Sequence, residues 1–212
     1  MTVTPEDAKR LEECLAAGGV ALIPTDTVYG LACDPDNAAA MEKIYELKQR
    51  PPLKPSAVMF FSIEAALEAV PDLGPRTRSA LAKLLPGPVT LLLANPQRRF
   101  PLACDPGGNG DAAPLGLRVP LLKGTIAPLA ALGAPLLQSS ANLSGEAPPR
   151  RLAEVPASLR EGADVVIDGG ELPGLASTVI DLADYEQSGD WRIVREGPLN
   201  VATLATALTS SC

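Results

Sequence analysis

The sequence predicts an α/β domain with a mixed sheet. Apolar runs of strand length alternate with segments of helical periodicity along most of the 212 residues. Near the C-terminus the strand-like runs Asp164 to Ile167, Thr178 to Leu182 and Trp191 to Val194 follow one another closely, which calls for antiparallel pairs. No repeat and no interdomain linker interrupts the chain, so residues 1–212 read as one domain.

The elements follow in order. Thr4-Pro5-Glu6-Asp7 opens a helix: threonine can cap, proline suits the first turn, and acids favour its positive end. Ala8, Leu11, Cys14 and Leu15 share one face, and Gly18-Gly19 can end it. Val20 to Ile23 is a short buried strand closed by Pro24. Asn37 to Gln49 is a second helix, which Pro51-Pro52 forces out of helical geometry. Ala57 to Phe61 is a strand, Ile63 to Val70 and Thr77 to Leu85 are helices, and Pro86-Gly87-Pro88 turns into a strand at Val89 to Leu93. Asn95 to Pro114, rich in Pro, Gly and Asp, reads as a long loop. A strand at Gly116 to Val119, a helix at Thr125 to Leu132 interrupted by Pro128, and a strand at Leu136 to Gln138 follow. Leu152 to Glu161 reads as helix, and Asn200 to Leu208 as a terminal helix after the three late strands.

Composition narrows the chemistry. The net charge is −7, which disfavours a general polyanion binder but leaves room for a local basic pocket. There is no histidine, which removes Ser-His-Asp triads, histidine bases and histidine-containing zinc sites. Cys14, Cys33, Cys104 and Cys212 form no C-x-x-C pair and read as scattered reduced thiols of a cytoplasmic protein. Without a histidine partner, Cys33 would need cations or a helix N-terminus to act as a nucleophile. The acidic N-terminus lacks a signal-peptide pattern, and the longest apolar stretch, Ile126 to Leu137, is too short to span a bilayer. No membrane association is expected.

Polar clusters mark the ends of elements. Thr25-Asp26-Thr27-Val28-Tyr29 follows the first strand, where ligands of open α/β sheets commonly bind, although the same residues suit a turn that satisfies its own backbone. Lys48-x-Arg50 and Lys54 form a proline-stiffened basic loop, or a helix end decorated with cations. Ser139-Ser140-Ala141-Asn142-Leu143-Ser144-Gly145 suits an anion-binding nest, or a capped turn. Arg118, Ser177-Thr178 and Arg195-Glu196-Gly197 are weaker single features. Hydroxyls, an amide and cations position and neutralise polyanions, which fits phosphoryl or nucleotidyl transfer.

Seven segments stand in the order seen in one family. They are Pro24-Thr25-Asp26-Thr27-Val28-Tyr29-Gly30-Leu31, Lys48-Gln49-Arg50-Pro51, Pro86-Gly87-Pro88-Val89-Thr90, Leu117-Arg118-Val119-Pro120, Ser140-Ala141-Asn142-Leu143-Ser144-Gly145, Ser177-Thr178-Val179-Ile180-Asp181 and Arg195-Glu196-Gly197. From about Val20 to Gly197 the chain resembles the YrdC-type threonylcarbamoyl-AMP synthases, in their short single-domain form. The resemblance implies a twisted mixed parallel/antiparallel sheet with flanking helices around a concave, positive cavity. It implies that L-threonine, bicarbonate (or CO2) and ATP, with Mg²⁺, give threonylcarbamoyl-AMP and pyrophosphate. The product would serve modification of tRNA adenosine 37, completed by a separate transferase complex.

The resemblance also assigns roles. Thr27, Arg118, Ser140 and Ser177 match positions that hold threonine, with Arg118 on its carboxylate. Lys48, Arg50, Lys54, Asn142 and Arg195 match positions near the triphosphate. Lys48, Arg50, Ser140 and Asn142 form the family's K-x-R and S-x-N catalytic set. No protein side chain is assigned to a metal. Asp26 is a candidate base or an orienter of its loop. Two departures stand out: the apolar run Val58-Met59-Phe60 where many members carry a polar residue, and the Gly-rich stretch Cys104 to Pro114, a candidate lid. A non-catalytic RNA-binding member of the same fold is the main rival, and it predicts a broad basic surface that a charge of −7 does not supply. A carbamoyl-transfer module of hydrogenase maturation would bring C-x-x-C zinc segments, which the chain lacks.

Overall fold

In the computed structural model, which describes residues 1–49, 55–106 and 113–209, the strands form one nine-stranded sheet. In chain order the strands are β1 (Ala21–Ile23), β2 (Gly30–Cys33), β3 (Ala57–Met59), β4 (Val89–Leu93), β5 (Leu115–Arg118), β6 (Leu136–Ser140), β7 (Val165–Val166), β8 (Thr178–Asp181) and β9 (Arg192–Arg195). Their order across the sheet is β7-β1-β2-β6-β3-β5-β4-β8-β9. The pairs β1/β7, β3/β5 and β4/β8 are parallel and the other five antiparallel, so the sheet is mixed as expected. The helices are α1 (Pro5–Ala16), α2 (Ala38–Leu47), α3 (Ile63–Ala69), α4 (Pro75–Leu84), α5 (Pro101–Cys104), α6 (Ala157–Gly162), α7 (Tyr185–Ser188) and α8 (Val201–Thr209). None of the described helices is long and apolar enough to cross a membrane.

Local chemistry accounts for the helix starts. Thr4 caps α1 in a reciprocal box: its hydroxyl accepts from the Asp7 N–H at 3.2 Å, and its own N–H donates to the Asp7 carboxylate at 3.0 Å. These bonds hold the Asp7 carboxyl below its ordinary range. Asn37 caps α2 by accepting from the Ala40 N–H at 3.0 Å. Ala8, Leu11 and Leu15 are the buried face of α1. They belong to a core that also takes in Ile126, Leu129 and Leu132.

Strand periodicity divides the central sheet into two unlike faces. Val58, Leu91, Leu93, Leu115, Leu117 and Leu137 share one face through the register pairs Val58↔Leu117, Leu91↔Leu117, Leu93↔Leu115 and Val58↔Leu137, and all are fully buried. The other face carries Gly30, Ala32, Ala57, Leu92, Gly116, Arg118, Gln138 and Ser140. Small and polar side chains leave room above that face, and this is where the cavity lies.

The structure corrects several elements. Gly30–Cys33 is a strand, which the opening glycine and the small residues concealed behind a polar run. Gly124–Ala131 is a 3-10 helix rather than an α-helix, with Pro128 inside it unable to donate an N–H. Leu152 to Glu161 breaks into a 3-10 turn at Leu152–Glu154 and α6, because Pro156 stands between them. The long loop contains α5, and residues 107–112 of the candidate lid lie outside the described residues. The four-residue α7 has no periodicity to betray it.

Candidate active site

A cavity of about 350 Å³ opens on the small-residue face. Thr27, Arg118, Ser140, Ser177 and Arg195 all line it, although they lie far apart in sequence. Ser56, Ala57, Thr90, Leu92, Gly116 and Gln138 are also in its walls. No carboxylate lines it among the described residues. The volume falls within the range of small-ligand sites.

Arg118 ends β5 with only 3% of its surface exposed. Its Nη2 donates to Asp26 Oδ1 at 2.8 Å and to Thr27 Oγ1 at 3.2 Å, and its Nη1 donates to Gln138 Oε1 at 3.0 Å. Nε is buried without a partner. The other carboxylate oxygen of Asp26 accepts the Leu121 N–H at 3.0 Å. Burial pushes the Asp26 carboxyl above its ordinary range, and the attraction of Arg118 offsets this only in part. Burial likewise lowers Arg118, against the pull of Asp26. With both oxygens engaged, Asp26 orients the arginine and its own loop; it is not placed as a free base.

The rest of the Thr25–Tyr29 cluster satisfies its own backbone. Thr25 Oγ1 donates to the Val28 carbonyl at 2.7 Å and accepts the N–H groups of Thr27 and Val28, each at 3.2 Å. The Tyr29 hydroxyl lies 3.0 Å from Asp168 Oδ1 and 2.8 Å from the Gly170 carbonyl, and it accepts the Gly169 N–H at 3.0 Å. Burial foremost pushes that phenol well above its ordinary range. Tyr29 therefore ties the 168–170 loop to β2 and stands away from the cavity.

On the opposite wall, the hydroxyls of Ser177 and Thr90 meet at 2.8 Å. The exposed Arg195 side chain is anchored there: its Nη2 donates to Ser177 O at 2.9 Å and Ser177 Oγ at 3.0 Å, and its Nε to Ser177 O at 3.1 Å. Gly197 permits this approach. A Cβ at Gly197 would stand 2.4 Å from the Thr178 nitrogen and 2.6 Å from the Ala176 oxygen.

Lys48 and Asn142 lie behind Ser140 rather than on the cavity wall. Lys48 follows the last turn of α2 and is 2% exposed. Its ammonium donates to the Ser140 carbonyl and, at 2.7 Å, to the Asn142 carbonyl, while the Lys48 carbonyl accepts the Ser144 N–H at 3.1 Å. Asn142 Nδ2 donates to the carbonyls of Leu143 at 2.7 Å and Glu146 at 2.9 Å, and its Oδ1 is buried without a partner. The K-x-R and S-x-N segments are thus joined directly by lysine and backbone. Arg50 and Lys54 lie outside the described residues.

Gln138, Thr90 and Ser56 escaped the sequence reading as site residues. Alternation could have found the first two: Gln138 stands two residues before Ser140, and Thr90 shares its face with Leu92. Cys33 and Cys104 are buried, and burial foremost pushes their thiols up to about 12 and about 11, so neither supplies a thiolate near neutrality. No group of three or more histidine, cysteine, aspartate or glutamate side chains that could hold a metal ion occurs among the described residues.

A smaller cleft of about 130 Å³ lies among Asp72, Thr77, Asn95, Arg99 and Glu186. Its polar groups serve one another: Glu186 accepts from the Thr77 N–H and hydroxyl, both at 2.8 Å, and Arg99 lies 3.6 Å from Asp72.

The Sua5_yciO_yrdC family profile, described as telomere recombination, matches residues 13–197. The threonylcarbamoyl-AMP synthase of Chromohalobacter salexigens is 36% identical over 193 residues, which cover 87% of this chain and 97% of that protein. The crystal structure of P. abyssi Sua5 complexed with L-threonine superposes with a TM-score of 0.79 at 25% identity. That match covers 98% of this chain and 58% of the Sua5 chain. E. coli YciO superposes with a TM-score of 0.78 at 26% identity, covering 95% of this chain and 94% of YciO.

Proposed function

We propose that this chain, which belongs to the Sua5_yciO_yrdC family, makes threonylcarbamoyl-AMP and pyrophosphate from L-threonine, bicarbonate or CO2, and ATP. It is an enzyme of the nucleotidyltransferase type. The observation that carries the reading is the convergence of Thr27, Arg118, Ser140, Ser177 and Arg195 on one cavity. Relatives named threonylcarbamoyl-AMP synthase and a Sua5 structure holding L-threonine support it.

The neutral amine of threonine attacks CO2 and loses a proton, giving a carbamate. A carbamate oxygen then attacks the α-phosphorus of ATP, and pyrophosphate leaves with the bond it breaks. No protein nucleophile is needed, which suits a chain without histidine whose Cys33 and Cys104 thiols stay protonated near neutrality. Arg118 takes the threonine carboxylate, and Thr27, Ser140 and Ser177 surround the amino acid. Arg195, at the rim, faces the phosphates, and the family resemblance gives Arg50 and Lys54, which lie outside the described residues, a role on the same groups. Lys48 and Asn142 act on the phosphates through the loop they shape. Charge that gathers on phosphate oxygens is stabilised most by fixed donors in a site that excludes water. Magnesium would enter as part of the ATP complex, held largely by the phosphates and water.

The adenylate is a mixed anhydride and must be handed on quickly. A transferase complex that carries the threonylcarbamoyl group to tRNA is the partner this chemistry calls for, in the cytoplasm. The test is an omission series following pyrophosphate release. Release that requires ATP, threonine and bicarbonate together supports the synthase; release that ignores threonine refutes it.

A further inference from the structure

Gln138 carries an inference that rests on the synthase reading and deepens it. The side chain stands on β6, 6% exposed, in the wall of the cavity. Arginine offers only donors, so the atom that meets Arg118 Nη1 at 3.0 Å must be the amide oxygen. That contact fixes the flip of the amide and sends Nε2 the other way. Nε2 lies over Gly30, where a Cβ would come within 2.2 Å of it. Gly30 is therefore the seat of the amide, and a side chain there would displace it. Among the described residues Nε2 donates to no protein acceptor, yet it is not sealed from solvent as Arg118 Nε and Asn142 Oδ1 are. An open, oriented donor in a ligand cavity is placed to meet a ligand.

Charge indicates which part of the ligand it meets. The guanidinium of Arg118 is already compensated by Asp26 at 2.8 Å, and Nη2 is shared between Asp26 and Thr27. A second carboxylate arriving there meets a pair that is neutral overall, so other donors of the cavity, the cation Arg195 and the neutral groups beside Arg118, share in the attraction. Among the neutral ones, the Gln138 amide touches Arg118 directly and keeps a donor open. We propose that Gln138 is a substrate-contact residue: its Oε1 orients Arg118, and its Nε2 donates to the carboxylate of the amino-acid substrate.

The test titrates threonine and ATP separately in full-length variants and follows thermal unfolding alongside. Gln138→Glu keeps the shape and the acceptor for Arg118 but replaces the donor with a negative charge. It should raise the threonine KM by about tenfold or more, the worth of a hydrogen bond to a charged group, and leave the ATP KM within about twofold. Gln138→Met removes both polar ends, serves if the glutamate variant fails to fold, and should raise the threonine KM in the same selective way. Gly30→Ala pushes the amide aside and should add little to the threonine defect of Gln138→Ala. A threonine KM unchanged in both the Glu and Met variants, an equal rise for both substrates, or additive Gly30 and Gln138 defects would overturn the assignment. A parent protein that turns over threonine beside unresponsive variants refutes this inference alone; a parent that ignores threonine refutes the synthase reading and the inference together.

Discussion

Asp26 grips Arg118 from below the cavity, with 2.8 Å between Oδ1 and Nη2, and the same carboxylate holds the Leu121 N–H at 3.0 Å. One buried acid thus sets both the arginine and the turn that leaves β5. Removing one partner of such a pair strands the other charge, at a cost of roughly 3–5 kcal/mol. Asp26→Asn should lose about 3 kcal/mol in urea unfolding. Arg118→Ala should raise the threonine requirement more than the ATP requirement. Equal effects on both substrates would argue against the carboxylate role.

Lys48 couples α2 to the loop after β6 through the carbonyls of Ser140 and Asn142. Lys48→Met strands two carbonyls that the ammonium now serves, at about 1–3 kcal/mol for a buried unsatisfied group. The variant should lose roughly 2 kcal/mol of stability by denaturant titration and nearly all pyrophosphate release. Full stability in Lys48→Met would show that the ammonium does not hold the loop.

Neighbouring residues of β5 test the two-faced sheet. Leu117 points into the core and Gly116 towards the cavity. Leu117→Ala should cost roughly 2–5 kcal/mol. At Gly116 a Cβ would be 3.4 Å from Ala57 Cα and 3.7 Å from Leu92 Cδ2, an ordinary contact. Gly116→Val should therefore fold while filling the cavity, weakening ligand binding in calorimetry. The reverse pattern would invert the assigned faces.

Asp164 accepts from Lys43 Nζ at 2.8 and 2.9 Å and from the Val20 N–H at 2.8 Å, tying α2 to the start of β1. The Lys43 bond foremost holds its carboxyl below the ordinary value. A carboxyl depressed in the folded state adds stability above its unfolded pKa, and that stability is lost as pH falls through the folded value. The pair is half-exposed, so Asp164→Asn should cost only about 0.5–1 kcal/mol near neutrality. The gap from the parent should close below about pH 4, as read from thermal unfolding across pH. A gap that persists undiminished in acid would contradict the linkage.

Much of this was legible in residues. The strand–helix alternation, the cap at Thr4 and the mixed sheet follow from periodicity and turn chemistry, whereas Asn37, read as the first residue of its helix, is the cap that precedes it. The ordered segments pointed to Thr27, Arg118, Ser140, Ser177 and Arg195, which the fold brings to one cavity. What escaped has physical reasons. Gly30–Cys33 pairs with β1 and β6 through backbone groups, and a glycine beneath a glutamine gives no strand signal. Pro156 acts on hydrogen bonding that apolar spacing does not register. Gln138 reads as a strand residue until the register sets it beside Arg118. Lys48 reads as a cation of a basic loop or helix end, and its hold on two carbonyls emerges only when the fold sets α2 beside the loop after β6.

The most direct test of the synthase is the mass of its product. Purified protein with ATP, magnesium, L-threonine and carbon-13 bicarbonate should yield an adenylate that contains threonine and carries the labelled carbon, with pyrophosphate appearing in equal amount. An adenylate without the label, or ATP that is bound and left intact with every substrate present, would contradict the account.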